Sequence, residues 1–260
     1  MYIGVDVSEH NGDIIWGEVR NKINFAIIRA GYGAGNIDKQ AAKNINGCIK
    51  NNIPFGLYWF SYALNETAAK NEANYLCDIA DKFNPSLPLV FDYEYDSDEY
   101  FKRKYGIPQT DIKRKLIAKA FLDRVDQRGY TPMLYTNLDY LTKGFADLQN
   151  LYPLWLAQWG DKTPTIKFDI WQKTNKAKIS GINGNVDLNE TEKKYVTKNV
   201  TANWKKAIEN IDESVWEEYY KIALDIINGK YGVGENRKSI ISQMGKDYKI
   251  AQSIVNWLLK

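Results

Sequence analysis

Eight short strand-like runs, helical runs between the earlier of them, and a change to helix alone after residue 190 predict an α/β chain. The expected fold is an irregular TIM-like β/α barrel followed by a small C-terminal three-helix module. A chain of 260 residues has room for one large domain and one small one. The boundaries expected are a barrel over 1–192, a linker over 193–212 and a helical module over 213–260. A doubly wound open sheet is the competing architecture.

The elements follow in order. Strand-like runs lie at 2–7, 25–30, 54–62, 87–93, 132–136, 153–159 and 167–172, with a short one at 185–188. Several are apolar on both faces, as strands buried in a largely parallel sheet are. Ala41, Ile45, Cys48 and Ile49 share one helical face, and Ala69, Ala73, Leu76, Cys77 and Ala80 share another. Thr110 is placed to N-cap a helix that runs to Gln127, with Gly129 just past its end. From Pro132 onward the strands come with little helix between them, which makes the expected barrel irregular. Cys48 and Cys77 fall on apolar helix faces and read as free, buried thiols.

The polar run Asn189-Glu190-Thr191-Glu192-Lys193-Lys194 ends the strand pattern. Three helices are expected beyond it, over 215–228, 235–244 and 248–259. Trp216, Tyr219, Ala223 and Ile226 or Ile227 form the apolar face of the first, and Ala251, Ile254, Val255 and Leu258 that of the third. Gly229, Gly232, Gly234 and Gly245 punctuate them.

Composition narrows the chemistry. Lys and Arg number 35 against 32 Asp and Glu, a net charge of +3 with no strongly basic block, which argues against nucleic acid as the partner. No apolar run approaches the roughly eighteen residues that span a bilayer, so no membrane partner is expected. A single histidine, His10, and two cysteines cannot build the usual zinc sites, so no metal is expected. The chemistry is expected to run on carboxylates without a cofactor. The 35 aromatic residues, 8 of them Trp and 18 Tyr, suit packing and also the faces of sugar rings. The opening Met1-Tyr2-Ile3-Gly4-Val5-Asp6 carries no secretory leader pattern, which reads as a cytosolic product or one whose signal was removed.

The sharpest local feature is Val90-Phe91-Asp92-Tyr93-Glu94, at the end of a strand pattern. Positions i and i+2 of a strand point to the same face with Cα atoms roughly 7 Å apart. Asp92 and Glu94 are therefore expected to project together from a strand's C-terminal end, where a barrel carries its active site. Asp6 and Asp187 sit in the first and last strand patterns, which are neighbours once a barrel closes. Four carboxyls at one mouth hold the pKa of at least one of them high, as a general acid requires. Two placed carboxyls are the usual equipment for breaking a glycosidic bond. Arg29 is a candidate ion-pair partner, and His10 reads as a hydrogen-bonding loop residue. Tyr58, Phe60 and Tyr62 alternate onto one face, as do Trp155 and Trp159; core packing is one reading, and stacking on sugar is the other for those near a strand's C-terminal end, such as Tyr62. Gly31-Tyr32-Gly33-Ala34-Gly35 fails the dinucleotide fingerprint because Asn36 stands where the last glycine belongs.

These motifs, in this order, resemble the family 25 glycoside hydrolases, which are lysozymes (N-acetylmuramidases), many of them phage endolysins. The resemblance is carried by Gly4-Val5-Asp6-Val7-Ser8, Asp92-x-Glu94 and Trp171-Gln172 followed by Gly184-Asn185-Val186-Asp187-Leu188-Asn189. Leu134-Tyr135-Thr136-Asn137 and Trp155-Leu156-Ala157-Gln158 fit as well, and the whole spans about residues 2–190. It implies cleavage of the β-1,4 bond between N-acetylmuramic acid and N-acetylglucosamine. By that resemblance Glu94 is the general acid. Asp92 stabilises the developing positive charge by orienting the substrate's own acetamido group as nucleophile, with retention of configuration. Asp6 and Asp187 hold substrate and tune pKa values, and Tyr62, Tyr135, Trp155 and Gln158 are the implied substrate contacts. Lys173 is a departure, standing where the family often has Tyr.

The tail resembles the type-7 cell-wall-binding repeat through the stretch from Ala223 to Lys238 and that from Tyr248 to Asn256. Usual members have Trp where Tyr231 stands and Asn where Val233 stands. The resemblance implies binding to peptidoglycan, with Tyr231, Arg237 and Tyr248 as contacts and oligomerisation through the module as an option. Taken together, the two resemblances describe a wall-lytic enzyme held in the host cytoplasm until lysis, or an exported one. Its rivals are a wall-binding protein with an inactive barrel and a glycosidase of another N-acetylated polymer such as chitin.

Overall fold

A computed structural model describes residues 1–196, 213–227 and 229–259. It divides into two compact units, Met1–Lys198 and Asn199–Lys260. Most of the expected linker, residues 197–212, lies outside the described residues, as does Asn228, the last residue expected in the first tail helix.

The first unit is a closed barrel. Its strands are β1 (Tyr2–Val7), β2 (Phe25–Tyr32), a two-residue β3 (Asn36–Ile37), β4 (Phe55–Phe60), β5 (Leu89–Asp92), β6 (Pro132–Asn137), β7 (Leu154–Ala157), β8 (Ile170–Ala177) and β9 (Val186–Thr191). The order around the barrel is β1-β9-β8-β7-β6-β5-β4-β2, with β3 paired to the outer end of β2, and β1 pairs with β2 to close the circle. A closed barrel rather than an open sheet is therefore the architecture. Helices α1 (Trp16–Val19), α2 (Ala41–Lys50), α3 (Glu66–Phe83), α4 (Tyr95–Tyr105), α5 (Asp111–Gln127) and the short α6 (Leu138–Thr142) lie between strands.

Strand direction departs from the parallel expectation at one place. β9 runs antiparallel to both β1 and β8, whereas the other ladders of the closed circle are parallel. The connection 178–185 is too short to carry a crossover helix, so the chain can only fold back as a hairpin.

Inward-facing positions follow the period of two. At the lower level Ile27, Val90, Met133 and Ile170 join Phe25, Tyr58 and Trp155 in one apolar cluster. Two residues further along the same strands stand Arg29, Asp92, Tyr135 and Gln172, which line a cavity at the strands' C-terminal ends. A dry plug thus supports a polar floor.

α4 was not expected from apolar spacing, because Ser97 and Phe101 are its buried residues. Its signal is electrostatic: Asp96 and Asp98 occupy the first turn, Lys102, Arg103 and Lys104 the last, and Gly106 closes it in the left-handed region at φ 73°. Thr110 caps α5 as expected, accepting from the Lys113 N–H at 3.2 Å. Cys48 and Cys77 are free and buried.

The second unit holds α7 (Glu213–Ile227), α8 (Gly234–Gln243) and α9 (Tyr248–Leu259). Tyr219, Ile222, Ala223, Ile226, Tyr231, Ile241, Ala251, Ile254 and Val255 are its buried hydrophobic residues among those described. The side chain of Trp216 lies outside the described residues. No helix among the described residues is long and apolar enough to cross a membrane.

Candidate active site

The barrel mouth opens into a cavity of about 570 Å³ lined by Asp6, Asp92, Glu94 and Asp187 together with Tyr58, Tyr62, Tyr135, Trp155, Trp159 and Gln172. Each acid arrives by a different local route. Asp6 points inward near the end of β1. Asp92 is the last residue of β5. Glu94 lies beyond that strand as the N-cap of α4, where its N–H donates to the Ser97 hydroxyl at 3.2 Å. Asp187 is the second residue of β9, and the antiparallel run of that strand is what brings its N-terminal end to the mouth. There it stands directly opposite Asp6 in the ladder.

A hydrogen-bonded frame fixes the floor. Asp6 Oδ2 accepts from Asn189 Nδ2 at 2.7 Å and from Gln172 Nε2 at 3.1 Å. Gln172 Oε1 accepts from the Tyr135 hydroxyl at 3.1 Å and from Trp159 Nε1 at 3.2 Å. Asn189 Oδ1 accepts from Trp155 Nε1 at 2.7 Å. Both buried amides are therefore committed at both ends, which leaves a single orientation for each. Asp92 Oδ1 is buried with no partner, a carboxylate oxygen left for something that enters the cavity.

Burial raises all four acids, and crowding adds to it at Asp6, Asp92 and Glu94. Burial pushes Asp6 and Asp92 well above the usual carboxylate range, and the neighbouring acids add to it: Asp187 beside Asp6, and Glu94 and Asp6 beside Asp92. Glu94 is raised by burial and by Asp187, with the Tyr135 hydroxyl pulling it back. Asp187 is raised by burial to about 6, a hydrogen bond with Asp6 offsetting part of the shift. Arg29 does not pair with these acids; its guanidinium holds Asp38 at 2.7 Å and Glu9 at 3.0 Å, with His10 Nε2 at 3.4 Å. Arg29 lines the mouth and draws Asp92 down only in part, so the buried acids retain protons that exposed carboxyls would lose.

Tyr62, Tyr135 and Trp155 line the cavity. The Gln158 side chain is not among its lining; the Gln158 carbonyl accepts from Trp171 Nε1 at 2.7 Å instead. Its neighbour Trp159, an aromatic expected on the same strand face as Trp155, takes the rim with 60% of its surface exposed. Gln172 in the lining and Asn189 on Asp6 belong to the site as well, in roles not read from the sequence. The available signal was polar side chains at inward positions of strands otherwise apolar. Lys173 is bound to Glu190 at 2.8 Å and sits over the Trp171 ring, away from the cavity.

The profile of the glycosyl hydrolases family 25 matches residues 5–182, most of the chain and all of the first eight strands apart from the first three residues of β1. The chain belongs to glycosyl hydrolases family 25. Lysozyme M1 of Streptomyces globisporus is 26% identical over 200 residues, covering 72% of this chain and 66% of that relative, just under two thirds of its length. Among solved structures, the modular autolysin LytC from Streptococcus pneumoniae shares 29% identity at a TM-score of 0.62, over 72% of this chain and 46% of that one. The catalytic domain of endolysin ply40 from bacteriophage P40 of Listeria monocytogenes aligns at a TM-score of 0.60 with 24% identity, over 79% of this chain and 97% of that one. The family 25 barrel is followed by a match to the CW_7 repeat at residues 221–259.

Within that repeat the three sequence candidates are placed differently. Tyr231 is buried, and its hydroxyl donates to Asp225 at 2.8 Å. Arg237 is half-buried and donates to the Gly232 carbonyl at 2.7 Å and 2.9 Å. The Tyr248 hydroxyl donates to Gln252 at 2.8 Å.

Proposed function

We propose that this family 25 protein is a peptidoglycan lysozyme that hydrolyses the β-1,4 bond between N-acetylmuramic acid and N-acetylglucosamine. The observation that carries the reading is the orphaned, buried Asp92 oxygen beside a raised Glu94 in the mouth of a family 25 barrel. Glu94, protonated, gives its proton to the glycosidic oxygen as the C1–O bond breaks. Asp92 accepts from the N–H of the substrate's acetamido group, turning that group's carbonyl oxygen onto C1. Water then attacks C1 with Glu94 taking its proton, so the acid is regenerated and configuration is retained. Asp6 and Asp187 keep the local field negative, which holds the proton on Glu94 and favours the cationic transition state.

The CW_7 repeat supports a second role, retention on the wall, with Tyr231, Arg237 and Tyr248 as the proposed contact region. A phage endolysin held in the host cytoplasm until lysis is the proposed setting, in keeping with the likeness to endolysin ply40. One copy of the module binds weakly unless the catalytic groove or self-association adds avidity.

The decisive experiment digests purified Gram-positive peptidoglycan, reduces the products with borohydride and reads them by mass spectrometry. Muramitol at the new ends is expected; glucosaminitol ends would reassign the enzyme as a glucosaminidase. Glu94→Gln is expected to unfold like the parent and to lose roughly 10²–10⁴-fold in rate. The rate should also fall on the alkaline side at a pH above the ordinary glutamate value of about 4.3, since Glu94 must carry its proton.

A further inference from the structure

Glu72 is a buried carboxyl that the cleavage step does not use. It lies in the middle of α3 at 3% exposure, on a face otherwise built from Ala69, Ala73, Leu76 and Ala80. Both its oxygens are engaged by the segment leaving β4. Oε2 accepts from the Ser61 hydroxyl at 2.5 Å, and Oε1 accepts from the Tyr62 backbone N–H at 3.1 Å. Ser61 is itself fully buried; its Oγ accepts from the Ala63 N–H at 3.2 Å, and its own N–H donates to the Asp92 carbonyl at 2.8 Å. Next in the chain, the Tyr62 ring packs on Phe60 and Tyr100 with centroids 5.1 Å away in each case, and it lines the cavity.

Residues 61–63 belong to no helix or strand, and the bond from Ser61 to the Asp92 carbonyl ties the segment to β5 at its first residue, so what fixes Tyr62 beyond it is the carboxyl of Glu72. An apolar residue would be the cheaper occupant of position 72. A carboxyl there is raised to about 7 by its burial, so its neutral form is accessible. Both protonation states keep the clamp. The ionised form accepts twice, and the neutral form donates to Ser61 Oγ while still accepting from Tyr62.

We propose that Glu72 is a positioning residue for substrate binding, which locks the Ser61–Tyr62 segment from beneath so that the Tyr62 ring stands as a preformed wall against a sugar of the N-acetylated glycan. The assignment deepens the muramidase reading and rests on it. A rim held in its bound conformation costs less ordering when glycan arrives.

The test is steady-state kinetics on a soluble, uncrosslinked glycan fragment of peptidoglycan. Glu72→Ala is expected to raise KM roughly tenfold with a much smaller fall in kcat, and to leave the alkaline limb of the pH profile in place, since the neighbours of Glu94 are untouched. Glu72→Gln is expected to restore KM, because its amide carbonyl still accepts from Tyr62 and its NH₂ donates to Ser61. Tyr62→Ala should raise KM, and adding Glu72→Ala to it should change little more. Ser61→Ala removes one clamp point with less disturbance of packing and is expected to raise KM roughly threefold, which serves if Glu72→Ala does not fold. Wild-type KM in Ser61→Ala and Glu72→Ala, full additivity with Tyr62→Ala, or a Gln variant as impaired as the Ala one would each overturn the assignment. An inert wild type overturns the muramidase reading itself, and the assignment with it.

Discussion

Asp187 shows what one carboxyl does to stability when it serves a site. Its folded pKa of about 6 stands above the unfolded value near 3.8. A raised carboxyl contributes stability that is complete below the unfolded pKa and is lost as pH rises through the folded one. Above pH 6 the barrel therefore carries a penalty on the order of 3 kcal/mol for keeping this acid buried, part of its cost already offset by the hydrogen bond with Asp6. Asp187→Asn is expected to raise the unfolding midpoint at pH 7.5 and to bring no such gain at pH 4. Thermal unfolding at the two pH values checks it; an equal gain at both would mean that charge is not the cause. At this scale Asp6, Asp92, Glu94 and Asp187 were legible, because an acid inside an apolar strand pattern is conspicuous. Glu72 was not, because a helical Glu looks ordinary until its neighbours are known.

The elements show where packing overrides local preference. The β2–β4 register shifts between Arg29 and Gly31, and a Cβ at Gly31 would come within 2.3 Å of the Asn36 carbonyl oxygen and 2.5 Å of the Trp59 ring. Backbone on one side and a buried indole on the other leave nothing that can move cheaply. Gly31→Ala is expected to destabilise the barrel by about 1–3 kcal/mol in denaturant unfolding. Strands and the longer helices were readable from period and caps, and Thr110 capped α5 where expected. α4 was missed because its order comes from charge placement and from Glu94 at its cap rather than from an apolar stripe. The antiparallel course of β9 was missed because a strand's residues do not state its direction.

At the scale of the molecule the chain is two units, with the change at 198 and 199 close to the expected end of the barrel at 192. A protein ending at residue 198 is expected to keep a cooperative unfolding transition and the cleavage of soluble glycan, and to lose retention on walls. Unfolding, rate and co-sedimentation with purified walls measure the three separately, and undiminished co-sedimentation would assign wall retention to the barrel. Strand positions, the carboxylate set and the change to helix at the tail could all be derived from residues near in sequence, since burial preference, period and capping act over a few positions. The pairing of Asp6 with Asp187, the Gln172 and Asn189 frame, and the clamp of Glu72 on Ser61 and Tyr62 required the closed barrel. Each joins residues between 10 and 183 positions apart, and such contacts exist once long-range packing has chosen the neighbours.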